Sequence, residues 1–182
     1  MSVCYLPPCP TTCEGSVAEV SFNECAPEKH WGEISKLYVV DANFGGLDAD
    51  NLADWNANLD DVTDKMIRTL IVIGELPEPE TVEVPLSGDR IAIGSKTFNL
   101  NFIIDETNET NYAFLKTVEC GGKFIIWFET SDGILYGDDT GIEVSLRINM
   151  VIPRERTAVV TYVGKATWKS LTHPCRTIFP LA

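Results

Sequence analysis

Apolar side chains recur along the chain with two different periods, and the switches between them mark out its elements. In "EISKLYVVDANF" polar and apolar residues alternate from Ile34 to Val40, and Gly45-Gly46 follow, which predicts a strand and a turn. In "LDADNLADWNANLDDVTDKM" the period changes: Leu52, Trp55, Leu59 and Val62 recur at three- and four-residue spacing. That is one amphipathic helix, with Asp48 or Asp50 available as its N-cap. The apolar run "TLIVIGEL" predicts a buried strand, and "PEPE" ends it because Pro77 and Pro79 lack backbone donors. From Thr81 the period is two, with Val82, Val84 and Leu86 on one face and then Phe98, Leu100, Phe102 and Ile104 on one face of the next segment. Both read as half-buried antiparallel strands. Tyr112, Leu115 and Val118 return to helical spacing before Gly121-Gly122 stops a second short helix. "KFIIWFETSDGILYG" is strand again, with Asp132-Gly133 as a hairpin turn. Val144, Leu146, Ile148, Met150 and Ile152 alternate up to "PRER", and Thr157 to Trp168 alternate beyond it, which predicts one long hairpin with a basic tip.

About eight strands grouped around hairpins, with two helices, predict a mainly β fold: an antiparallel β-sandwich or barrel with one or two short packed helices and extended N- and C-terminal arms. The expected organisation is a Cys/Pro-rich N-terminal arm over residues 1–33, a β domain over 34–170 and a C-terminal tail over 171–182. In that tail Pro174 and Pro180 bracket Ile178 and Phe179, with Leu181 after them, apolar side chains that a neighbour could cover. No internal repeat of fixed period is present.

Charge sharpens this picture. The chain carries 14 Lys plus Arg against 27 Asp plus Glu, a net −13, so sequence-reading contact with a phosphate backbone is disfavoured. The charge is also uneven: residues 1–143 carry 8 basic and 26 acidic side chains, a net of −18, and residues 144–182 carry 6 and 1, a net of +5. Opposite charge on two parts of one subunit suits head-to-tail contact between copies, and solubility is the plainer explanation. No stretch approaches the roughly 20 apolar residues of a membrane helix, and the N-terminus has no signal-peptide pattern, so neither membrane insertion nor secretion is expected.

Candidate chemistry is sparse. The two histidines, His30 beside Trp31 and His173 before Pro174, have no nucleophile with a family signature near them, and phosphate- and dinucleotide-binding glycine patterns are missing. Asp60, Asp61 and Asp64 cluster after the first helix and Asp138-Asp139 follow a glycine, so paired carboxylates for glycoside cleavage or a hard cation are one reading, and a solvated acidic face, which charge runs usually form, is the favoured one. Cys4, Cys9, Cys13 and Cys25 lie within "CYLPPCPTTCEGSVAEVSFNEC"; zinc ligation, disulfides and free thiols all stay open, since only the Cys9–Cys13 step has metal-ligand spacing. Pro7, Pro8 and Pro10 favour extended backbone there, and Val17, Val20 and Phe22 could add a strand to a neighbour's sheet, so the segment reads as an inter-subunit arm. Asn108-Glu109-Thr110 is a sequon taken as chance. No catalytic, cofactor-binding or metal-binding residue is assigned, and the protein is not expected to be an enzyme.

In its layout the chain resembles tail proteins of tailed bacteriophages, above all tail-tube subunits. The likeness covers roughly residues 34–168 and rests on "ISKLYVVDANF", "LADWNANL", the strands flanking "SGDRIAIGSKTFNLNF", and "DGILYGDDTGIEVSLRINM". The resemblance implies a virion protein assembled in the host cytoplasm. It would be a homo-oligomer stacking in hexameric rings beside neighbouring tail or neck proteins, around a channel through which DNA passes without sequence-specific binding. The cysteine-rich arm departs from that family pattern and leaves a tail terminator, neck or head-decoration role open. A carbohydrate- or surface-binding β-sandwich using Trp127, Tyr136 and Trp168 is the alternative from another class, and a carboxylate hydrolase a third. On the assembly reading, Arg154 and Arg156 at the hairpin tip meet acidic loops such as that of Asp60, Asp61 and Asp64.

Overall fold

The computed structural model describes residues 32–59, 67–155 and 157–179. In chain order its elements are β1 (Ile34–Asp41), α1 (Leu52–Asn58), β2 (Arg68–Glu75), β3 (Glu80–Leu86), β4 (Arg90–Ile104), α2 (Glu109–Val118), β5 (Gly122–Thr130), β6 (Ile134–Tyr136), β7 (Ile142–Val151), β8 (Thr161–Ser170) and β9 (Arg176–Ile178).

Strand β1 decides the architecture, because both of its edges are paired. Leu37 is opposite Leu70 of β2 on one side and opposite Phe128 of β5 on the other. The order β1-β2-β4-β8-β7-β5 therefore returns to β1, and the fold is a closed antiparallel barrel with β3 and the β6–β9 pair as extra strands. Closure removes the free edges that an open sheet leaves as templates for unwanted pairing. Of the two architectures the periodicity allowed, the barrel is the one formed.

Alternate side chains fill the interior. Leu37 and Val39, Leu70 and Val72, Phe98, Leu100 and Phe102, Ile126 and Phe128, Val144, Leu146 and Ile148, and Ala166 form one buried cluster, to which α2 adds Leu115 and Val118. Gly164 belongs to this packing. A Cβ there would run into the ring of Phe102, which sits opposite it in the β4–β8 register.

A second core lies outside the barrel on β1 and β5. Tyr38 and Val40, with Ile125 and Trp127, point away from the interior and are covered by Leu47, Ala49, Trp55 of α1, Ile67, Leu135 of β6 and Phe179. Burial on both faces explains the unbroken apolar runs "LYVV" and "FIIWF". The seam between β1 and β5 is also tied by a buried carboxylate: Tyr38 Oη donates to Glu129 Oε2 at 2.6 Å, and Lys36 Nζ lies 3.2 Å from both Glu129 oxygens.

Several expectations change on this frame. Helix α1 ends at Asn58, with Leu59 as its C-cap, and Val62 lies outside the described residues. Its N-cap is Asn51, whose side chain accepts from Ala53 N at 2.9 Å. Neither aspartate takes that place because Asp48 accepts from Asp50 N and Asp50 accepts from Thr177 Oγ1. Phe179 is not left for a neighbour: it is 2% exposed, with its ring centroid 5.0 Å from Trp55 and 5.1 Å from Tyr38. Arg176–Ile178 pairs with β6, so this part of the expected tail belongs to the subunit's own second layer. The expected N-terminal arm, with Cys4, Cys9, Cys13, Cys25 and His30, lies outside the described residues.

Candidate assembly surface

Among the described residues, the sequence-predicted chemical groups do not converge. Asp138 and Asp139 serve the backbone: Asp138 Oδ1 accepts from Thr140 N and Oγ1, its carbonyl accepts from Trp127 Nε1 at 2.7 Å, and Asp139 Oδ1 accepts from Ala49 N. Gly137 and Gly141 flank this turn at φ 134° and 69°, and a Cβ at either would strike Trp127 or Ile125, so the loop must pass against the indole with no side chain there. Asn108 of the sequon caps α2, accepting from Asn111 N at 2.8 Å. His173 stands edge-on to Phe98. The aromatics considered for sugar stacking are used in packing: Trp127 is fully buried, Trp168 stacks on Phe98 and Tyr136 stacks on Phe128. Asp60, Asp61, Asp64 and Arg156 lie outside the described residues.

Among the described residues no three His, Cys, Asp or Glu side chains form a group that could hold a metal ion. Cys120 is a free, exposed thiol, and Cys175 is disulfide-bonded. The Lys123 ammonium is held above the ordinary lysine value by its hydrogen bond to Glu143, and that of Lys116 by its hydrogen bond to Glu119. Both pairs are exposed surface bridges, a class that contributes little to stability. No helix among the described residues is long and apolar enough to cross a membrane.

What stands out instead is exposed apolar surface on three connected parts of the β sheet. The first is the ribbon of β3 with the first half of β4. Among the described residues strand β3 pairs only with β4, and all seven of its residues are exposed, so Val82, Val84 and Leu86 do not form the buried face that their alternation predicted. The register sets Val84 opposite Ala92 on one face, and Glu83 opposite Ile93 and Pro85 opposite Ile91 on the other. Apolar side chains thus occupy both faces; Ile91 is 66% exposed. The turn is tight, with Gly88 and Asp89 at φ 76° and 56°, and Arg90 Nε donates to Ser87 O across it.

The second part is the β7–β8 hairpin end. Met150, Val151, Ile152 and Val159 are exposed there, with Ile152 at 68%, and Arg154 stands in the connection. The inward alternation stops after Ile148 because β7 runs on past Leu146, its last residue paired with β5 (opposite Gly122), and has no interior left to face. The two extensions lie at opposite ends of one ladder. β4 and β8 pair from Lys96–Ser170 to Ile104–Tyr162; the ribbon continues past the first pair and the hairpin end past the second.

The third part is a shallow groove of about 680 Å³ on the outer face of β2, β4, β8 and β7. Cross-strand pairing builds it in rows. Ile73, Ile103, Val163 and Asn149 are successive partners in one row, and Glu75, Asn101, Lys165 and Arg147 in the next. Ile73, Ile103 and Val163 are all exposed. Asn101 Nδ2 donates to Glu75 at 3.3 Å, and Arg147 and Lys165, adjacent across the β7–β8 pair, outnumber that one carboxylate, so the groove is net positive with both bases at its β8–β7 end. Period-two counting could not find this surface, since it assigns one apolar face per strand and β2 and β4 here carry apolar residues on both. Two-sided apolar runs, "LIVI" and "NFII", were the available signal. Compared with known proteins, the chain matches no protein-family model and no curated protein.

Proposed function

We propose that the protein is a structural subunit that assembles with copies of itself, and that the assembly is part of the virion of a tailed phage, a tail-tube ring in the reading that its sequence layout favours. The observation that carries the assembly reading is the pair of apolar extensions at opposite ends of the β4–β8 ladder. An isolated two-stranded hairpin is marginally stable in water at best, and the β3–β4 ribbon exposes Val82, Val84, Leu86, Ile91 and Ile93, with no other strand among the described residues against it. Apolar surface in that quantity marks an interaction site. Extensions at opposite ends favour a head-to-tail contact, which closes into rings or propagates into tubes. The phage identity rests on the sequence layout alone; the function is assembly rather than catalysis on this reading.

Light scattering on purified protein, followed by negative-stain electron microscopy, tests it. Rings or tubes well above the 20.1 kDa subunit mass are expected. A monomer at every concentration and salt would overturn the assembly reading, and filamentous or globular aggregates without a central channel would overturn the tube.

A further inference from the structure

We infer that the β3–β4 ribbon of one copy docks across the outer groove of β2, β4, β8 and β7 on the next copy, with Glu83 meeting Lys165 and Arg147. This rests on the assembly reading and names its contact.

The two surfaces match in kind. The ribbon face that carries Glu83, Pro85, Ile91 and Ile93 has one acidic group beside three apolar side chains. The groove has an apolar row, Ile73, Ile103 and Val163, beside a row of Glu75, Asn101, Lys165 and Arg147 that is net positive, with its two bases adjacent at the β8–β7 end. Laid in the groove, the ribbon sets apolar against apolar and acid against base. Complementary charge of this kind fixes register and partner choice more than it adds affinity.

A subunit cannot make this contact with itself. Ile93 and Ile103 lie on the same strand, ten residues apart, which at about 3.3 Å per residue separates them by roughly 33 Å along a continuous ladder. The ribbon points away from its own groove, so the groove it fills belongs to another copy. Donor and acceptor are different patches, and the contact is heterologous: every copy gives one ribbon and receives one.

Size argues for repetition. Seven residues of ribbon span about 23 Å, and two strands about 10 Å across, so one docking buries on the order of 500 Å² counting both surfaces. A stable pairwise interface needs about 1,200 Å² or more. A single contact is therefore too small for a durable dimer, and closure of a ring, in which each copy is held twice, is what makes it persist.

Charge reversal tests the pairing, because Glu83 and Lys165 are both exposed and neither holds the fold together. Self-association of E83K, K165E and the E83K/K165E double variant is measured by sedimentation velocity against wild type, with thermal melting as the folding control. Each single reversal should weaken association at least tenfold, and the double reversal should return it to within about threefold of wild type. Single variants that assemble normally, or a double variant no better than the singles, would overturn the ribbon-in-groove contact while leaving assembly through another surface intact. A wild-type protein that never assembles would remove both.

Discussion

Replacing Phe179 by Ala separates a subunit that uses its C-terminal segment as its own core from one that holds it out for a neighbour. The ring is 2% exposed and packs against Trp55 and Tyr38 with centroids 5.0 and 5.1 Å away, one of them edge-on. Burying a Phe side chain contributes about 2–3 kcal/mol of transfer free energy. The cavity left by its ring, on the order of 80 Å³ after partial relaxation, adds about 2 kcal/mol at roughly 24 cal/mol per Å³. The expected loss is therefore about 4 kcal/mol, within the range of buried Phe→Ala changes, and at 2–4 °C per kcal/mol for a chain of this size it lowers Tm by about 8–16 °C. Backbone hydrogen bonding should survive, since Phe179 N still donates to Gly133 O. Differential scanning calorimetry at low protein concentration measures the loss, and near-ultraviolet circular dichroism reports on Trp55 and Trp127, which lie in the same cluster with their rings 5.6 Å apart. Ile178→Ala is the internal control: its side chain is 75% exposed, and a surface change of this sort alters stability by no more than about 0.5 kcal/mol. A Phe179→Ala variant that melts within about 3 °C of wild type, or an Ile178→Ala variant that loses as much, would refute the assignment of β9 and Phe179 to the subunit's own second core.

Two further substitutions probe the barrel itself. Gly164→Ala places a methyl group against the ring of Phe102 and should cost about 1–3 kcal/mol by overpacking, with Phe102→Leu in the same chain recovering part of it; a stability equal to wild type in urea titration would contradict the packing described. Tyr38→Phe removes the buried hydrogen bond to Glu129, leaving the carboxylate to Lys36 alone, and should cost about 1.5–3 kcal/mol, whereas adding Glu129→Leu should restore part of the loss because no buried carboxylate is then short of its hydroxyl donor; additive losses in that double-mutant cycle would show that the two side chains do not act together.

The elements were readable from residues alone wherever one face of a strand or helix is wet. Phe98, Leu100, Phe102 and Ile104 are buried as their alternation implied, and Leu115 and Val118 face the core as their spacing implied, because water on one side forces a period on the other. Turn chemistry was equally local: Gly121 and Gly133 take positive φ where the sequence placed a helix stop and a hairpin turn. The choice between sandwich and barrel was not local. It depends on Leu37 meeting Phe128, a pairing across about 90 residues that no short-range pattern encodes. The fate of the two-sided apolar strands was undetermined for the same reason. The sequences "LYVV" and "NFII" both place apolar residues on either face, yet Tyr38 and Val40 are sealed beneath Trp55 and Phe179 while Ile103 remains exposed. An apolar side chain specifies that it should be covered; which element covers it, or whether any element of its own chain does, is settled only when the strands have closed on one another and the second layer has chosen its side of the barrel.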